Sequence, residues 1–202
     1  MSLKASLAGW CMRWQVRLWL VAGQKSRASD CLTQRLAVQP DDRYALASLA
    51  VLQAGQGNRA GAVQTLEHLV RVAPGLATAW FNLGFLLETM DRLEDAEAAF
   101  RRATDMDPGL DRAWYGLGIC LIRLRRFDGA VEALRRNTAL QPMSPFGWYQ
   151  LARVHADRQE PEEALRIIRH LRGFEPRVAA QLVRETGLGL PGASADGAVA
   201  CP

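Results

Sequence analysis

No stretch of the chain approaches the ~18 uninterrupted apolar residues that cross a bilayer as a helix. The most apolar segment, WCMRWQVRLWLVAG at 10–23, is broken by Arg13 and Arg17. Cysteine is scarce: Cys11, Cys31, Cys120 and Cys201 form no CxxC pair and no framework spacing, which excludes a disulfide scaffold and points to reduced thiols in a cytoplasmic protein. His68, His155 and His170 come without an H-E-x-x-H or a neighbouring cysteine, so no metal is expected. Also absent are G-x-x-x-x-G-K-[ST], G-x-G-x-x-G and G-x-S-x-G. With no catalytic constellation, the chain is read as a non-enzyme without a cofactor. The apolar stretch from Leu3 to Cys11 is too short for a secretory leader. LAGWC resembles a lipoprotein cleavage site, but Trp10 stands where that signal wants a small residue, so lipidation is not expected.

Acidic residues are missing from 1–29, which hold Lys4, Arg13, Arg17, Lys25 and Arg27; the segment carries +5 of a formal net charge of +4, leaving the other residues at −1. Phosphate affinity needs clustered cations, so a neutral body argues against nucleic acid as a partner. Apolar residues at 49% and charged ones at 23% describe an ordinary globular chain.

What the chain does have is a period. Prolines stand at 40, 74, 108, 142 and 176, each 34 residues after the last, and the rest aligns on them. Trp80, Trp114 and Trp148 form one column, Leu49, Leu83, Leu117 and Leu151 another. A small-residue column follows with Ala50, Gly84, Gly118 and Ala152, a second with Ala62, Ala96, Ala130 and Ala164, and a bulky one with Leu66, Phe100, Leu134 and Ile168. The spacing keeps one face apolar at helical period and predicts two antiparallel helices per unit. Asp91 with Glu94 three residues on reads as a cap for the second helix, and Pro161 sits in a first helical turn. Small columns let helices cross closely, so Gly84 is expected against Ala96. The tryptophan column is read as core. His155, in a core column, is expected to be partly buried with a local hydrogen bond. Glu67 and Arg71, Glu97 and Arg101, Glu132 and Arg136, Glu162 and Arg166 are i, i+4 pairs on a solvated outer face.

These columns match W-x2-L-G-x2-Y … A-x3-F … P, most fully at Trp80, Leu83, Gly84, Leu87, Ala96, Phe100, Ala103 and Pro108. The chain resembles the tetratricopeptide repeat (TPR) family over 41–176, as four tandem repeats at 41–74, 75–108, 109–142 and 143–176. Departures are Leu46 in the tryptophan column, Gln53 and His155 at large apolar positions, and Asn137 and Leu171 at a small one. The resemblance implies an all-α fold, a right-handed superhelical solenoid of antiparallel helix pairs. It also implies a concave groove lined by the first helix of each unit. The candidate groove residues are Thr78, Phe81, Asn82, Phe85, Arg112, Tyr115, Ile119, Arg123, Phe146, Tyr149 and Arg153, continuing columns that begin at Tyr44, Ala47 and Val51. An exposed aromatic ladder marks a partner site, and the arginines beside it favour an acidic peptide. The ladder has a second reading, in which the chain's own ends cover it. A clamp for a C-terminal carboxylate is not expected, because Ala47, Val51 and Gly116 stand where such clamps carry Lys, Asn or Arg; only Asn82 and Arg112 conform.

The ends remain open to two readings. Residues 1–40 are either a degenerate first repeat or a basic, Trp-rich helix that uses Trp10, Arg13, Trp14, Arg17 and Trp19 to contact a membrane or a partner. Residues 177–186 are expected as a capping helix and 187–202 as a mobile tail with Cys201 exposed. The function expected is a non-catalytic adaptor holding a peptide segment of another protein, chaperone-like or assembly-factor-like. The alternatives are a peripheral membrane-associated assembly factor at the inner membrane surface and a secretion chaperone. Neither the partner nor the oligomeric state follows from the residues.

Overall fold

The second helices that end at Val38, Val72, Met106 and Leu140 stop where proline forces them to. A residue before proline is pushed out of the α region, and Gln39, Ala73, Asp107 and Gln141 all sit at φ between −129 and −135°. In the computed structural model, which describes the backbone of residues 3–189 and the side chains of 12–189, the described residues form α-helices only. They fall into two compact units, 1–107 and 108–202.

The first unit holds α1 (Leu3–Val21), α2 (Lys25–Val38), α3 (Arg43–Gly55), α4 (Arg59–Val72), α5 (Ala77–Thr89) and α6 (Leu93–Met106). α3 packs on α4 and α5 on α6, while α2 against α3 and α4 against α5 join successive pairs. Its core runs through Leu32, Leu49, Leu66, Leu69, Leu83, Leu87 and Phe100. Burying each such side chain contributes roughly 1.5–3 kcal/mol. Asp42 caps α3, accepting the Ala45 N–H at 3.1 Å and the Arg35 Nε–H at 2.8 Å, and so ties α2 to α3. Burial alone would raise the Asp42 pKa, but these donors outweigh it and hold the carboxyl below its ordinary value.

The second unit holds α7 (Asp111–Arg123), α8 (Phe127–Leu140), α9 (Pro145–Asp157), α10 (Pro161–Arg172) and α11 (Pro176–Thr186). α7 packs on α8 and α9 on α10; α11 lies against both α9 and α10, as a terminal cap must. Leu121, Leu134, Ile168, Leu171 and Leu182 are its largest fully buried aliphatic side chains. Pro161 begins α10, as its place in the sequence predicts, and Pro176 begins α11 instead of ending a repeat.

The tryptophan column has a specific task. Trp80 Nε1–H donates to the Pro74 carbonyl, Trp114 to Pro108 and Trp148 to Pro142, each at 2.9 Å. A half-buried indole thus clasps the loop that precedes its own helix, and Leu46, lacking a donor, cannot form this bond.

Several expectations are corrected. Asp91 is not a cap: α6 begins after Arg92, and Asp91 has φ +63°. The turn inside each helix pair needs a left-handed residue, supplied by Gly23, Gly57, Asp91, Arg125 and Gln159, again 34 apart. Outside glycine that conformation costs roughly 1–2 kcal/mol, so the last three carry strain. The neighbour above Gly84 is Phe100 rather than Ala96; a Cβ there would lie 2.9 Å from Phe100 Cδ1. Glu97 does pair with Arg101, yet its carboxylate is buried, because it occupies a core column shared with Val63 and Val131. Arg166 pairs with Glu163 rather than Glu162, and Arg71 Nε–H donates to the Glu67 backbone carbonyl. His155 is fully rather than partly buried. The tail expected at 187–202 lies, from residue 190 on, outside the described residues.

Candidate functional site

On the first-helix face of unit one, α3 and α5 place equivalent residues side by side. Val51 is 63% exposed and Phe85 53%, although the core does not need either. With Ala50, Ala54, Leu66, Asn82 and Leu86 they line an apolar hollow of about 160 Å³. The Asn82 side chain supplies both a donor and an acceptor at its edge. Thr78 is exposed one turn earlier on α5. Phe81, by contrast, is half-buried, its ring centroid 6.0 Å from that of Phe100. It belongs partly to the core, so the aromatic ladder is interrupted there. Tyr44 is half-buried too, and the Arg13 guanidinium stacks 4.8 Å from its ring centroid.

In unit two, α7 carries Arg112 and Arg123, both exposed, with Tyr115 and Ile119 half-buried between them. α9 carries Phe146, 68% exposed, then Tyr149 and Arg153. Arg153 lies 5.8 Å from the Tyr149 ring centroid, and the Tyr149 hydroxyl donates to Glu185 Oε2 at 2.5 Å. That bond favours the neutral phenol and the charged carboxylate, raising the Tyr149 pKa and lowering that of Glu185. At Tyr149 the chain's own α11 therefore already contacts the expected groove wall.

Of the five residues assigned to the N-terminal surface, the structure divides the four it describes. Trp19 packs on the cluster of Met12, Val16, Ala28, Leu32, Ala45 and Leu49. Arg13 turns to Tyr44 as described. Trp14 is 49% exposed, with Arg17 stacked 5.6 Å from its ring centroid, and Leu18 and Val21 continue its stripe at 66% and 90% exposure. The Trp10 side chain lies outside the described residues. α1 is two-sided: one side is a repeat-like core and the other an open apolar edge. No described helix is long and apolar enough to cross a membrane. Among the described residues no three or more His, Cys, Asp or Glu converge as metal ligands would. Cys120 is buried, and burial pushes the half-buried Cys31 thiol upward in pKa.

Sequence reasoning missed a second concavity of unit two. It is formed by the second helices α8 and α10 over α9, has a volume of about 570 Å³, and is lined in part by Trp148 and His155. The one signal for it was histidine in a column otherwise held by leucine or glutamine.

Successive helix pairs joined by a proline loop define a repeat scaffold. The sequence model of the tetratricopeptide repeat matches residues 49–111 and 86–145. The chain belongs to the tetratricopeptide repeat family, whose members act as protein–protein interaction scaffolds. No match was found among curated protein sequences. Among solved structures, MamA from Desulfovibrio magneticus superposes with a TM-score of 0.73 at 18% identity, covering 92% of this chain and 98% of that one. YrrB, described as a TPR protein with an unusual peptide-binding site, gives 0.75 at 17%, covering 84% and 88%. A tetratricopeptide repeat protein from Parabacteroides merdae gives 0.76 at 18%, covering 87% and 72%. At these identities the likeness is one of fold.

Proposed function

We propose that the chain is a non-catalytic adaptor, chaperone-like or assembly-factor-like, that holds a peptide segment of a partner protein on its first-helix faces. The observation that carries this reading is the Val51–Phe85 hollow in unit one. Two large apolar side chains stand in water at equivalent repeat positions, with the Asn82 amide beside them to bond a peptide backbone. That YrrB, of the same fold, has a peptide-binding site supports the reading. In unit two, Arg112, Arg123 and Arg153 beside Tyr115, Ile119, Phe146 and Tyr149 favour an acidic segment. The test is a displayed peptide library selected on the full chain, followed by affinity measurement. Phe85→Ala should weaken selected peptides at least tenfold, with a thermal midpoint within about 2 °C of the parent, since more than half of the side chain already stands in water. Peptides that bind Phe85→Ala as tightly as the parent would overturn the assignment.

A second reading is supported by the Trp14, Leu18 and Val21 stripe with Arg17 beside it, the pattern of a helix seated at a lipid surface. On this reading the chain is a peripheral membrane-associated assembly factor. Flotation with anionic vesicles at low salt should carry the intact chain upward, and Trp14→Ser with Leu18→Ser should leave it at the bottom. Intact chain that stays below with the vesicles present removes this reading.

A further inference from the structure

Residues 53, 87, 121 and 155 occupy one repeat column. Leu87 and Leu121 are buried apolar side chains there. Gln53 is polar but satisfied, its amide oxygen accepting the Thr65 hydroxyl at 2.8 Å. His155 is the exception. Only 3% of it is exposed, its Nδ1 lies 2.6 Å from Glu160 Oε2, and its Nε2 has no hydrogen-bond partner. Glu160 is itself gripped by Arg158 Nε at 2.9 Å, and Arg158 reaches Asp128 at 2.6 Å. The bond from His155 holds the Glu160 carboxyl below its ordinary pKa; a carboxylate oxygen only accepts, so Nδ1–H is the donor of this bond. In the neutral ring Nε2 is then a bare lone pair that seeks a donor.

His155 lines the 570 Å³ cleft of unit two together with the apolar faces of Pro142, Trp148, Leu151 and Ile167; Arg135 and the Glu163–Arg166 ion pair line it as well. Arg135 is exposed. The site therefore combines flat apolar walls, one buried acceptor and one cation, Arg135, in excess of the Glu163–Arg166 pair. A phenol fits this set: its ring fills the walls and its hydroxyl projects from the far end, where an inserted ring reaches deepest. An indole carries its N–H on the flank, and an aliphatic side chain carries no donor. Carboxylates beside the phenol would meet Arg135.

We infer that the cleft between α8 and α10 is a second binding site, distinct from the first-helix faces, which takes a tyrosine side chain within an acidic segment of a partner protein.

The test uses the full chain labelled with ¹⁵N at histidine. The probes are a short acidic peptide, capped at both ends, with one central tyrosine, and the same peptide with phenylalanine. The tyrosine peptide is expected to shift the His155 Nε2 resonance and to bind about tenfold tighter than its phenylalanine twin, since it satisfies an otherwise unpaired buried acceptor. His155→Leu installs the residue that the two preceding repeats carry, so the chain folds, with a thermal midpoint no lower than the parent. In that variant the two peptides should bind equally. Arg135→Ala should weaken both peptides alike, and Phe85→Ala should change neither. Equal affinities for the parent chain, a tyrosine preference that survives His155→Leu, or no tyrosine-peptide binding at millimolar concentration would each overturn the inference.

Discussion

The Gly84→Leu chain is expected to lose about 3 kcal/mol or more of stability, seen in urea denaturation followed by circular dichroism, and to lose the cooperativity of its transition. Gly84 is buried on α5, and its missing Cβ is where the Phe100 ring lies at 2.9 Å. Phe100 is only 1% exposed and has no room to retreat. A methyl group already compresses that contact; three further carbons must displace the ring or part α5 from α6. Overpacking of this kind typically costs 1–3 kcal/mol, and more where both partners are fixed. In a stack whose repeats contact only their neighbours, one parted pair also removes the surface on which the next pair rests. The first and fourth repeats pair Ala50 and Ala152 with Leu66 and Ile168 in these columns, smaller than the phenyl ring opposite Gly84, while the third keeps Gly118 against Leu134. Phe100→Leu should therefore recover part of the loss caused by Gly84→Ala. A Gly84→Leu chain with an unchanged urea midpoint would show that α5 and α6 are not held at this crossing.

Gly147→Ala is expected to destabilise by about 2–3 kcal/mol, although the same change in a helix interior ordinarily stabilises by about 1 kcal/mol. The reversal has a local cause. Asn137 is 6% exposed on α8 and its Nδ2–H donates to the Asp111 carbonyl at 2.9 Å, which fixes its Oδ1 where a Cβ on Gly147 would fall. The equivalent positions Ala45, Ala79 and Ala113 carry that methyl without difficulty, and the residue matching Asn137 in the second repeat is Ala103. Asn137→Ala combined with Gly147→Ala should then be more stable than Gly147→Ala alone, a coupling that a double-mutant cycle isolates. Strictly additive losses would mean the two side chains do not compete for one space.

Much of this was legible before any coordinates. The prolines, the tryptophan column and the small–large alternation fix helix length, loop position and crossing, because each repeat satisfies the same packing demand again. What escaped notice was carried by individual side chains. The left-handed turn column is hidden because Asp91, Arg125 and Gln159 accept strain that Gly23 and Gly57 avoid, so no residue type marks it. Glu97 reads as a solvated partner of Arg101 until the fold shows its column to be core. Columns of groove residues do not reveal that Phe81 leans on Phe100, or that Tyr149 is taken up by Glu185 from α11, since both depend on a neighbour 19 or 36 residues away. The Asn137 departure and the Gly147 departure each look incidental alone; only contact makes them one adjustment.

The clasp between each indole and the proline carbonyl six residues before it has an optical consequence. Indole emission changes with the polarity and hydrogen bonding around the ring, so Trp80, Trp114 and Trp148 place one natural lamp at each of three successive loop-to-helix joints. Replacing all but one of the chain's tryptophans by phenylalanine would leave a single lit joint. The order in which the joints open could then be watched without attaching a dye.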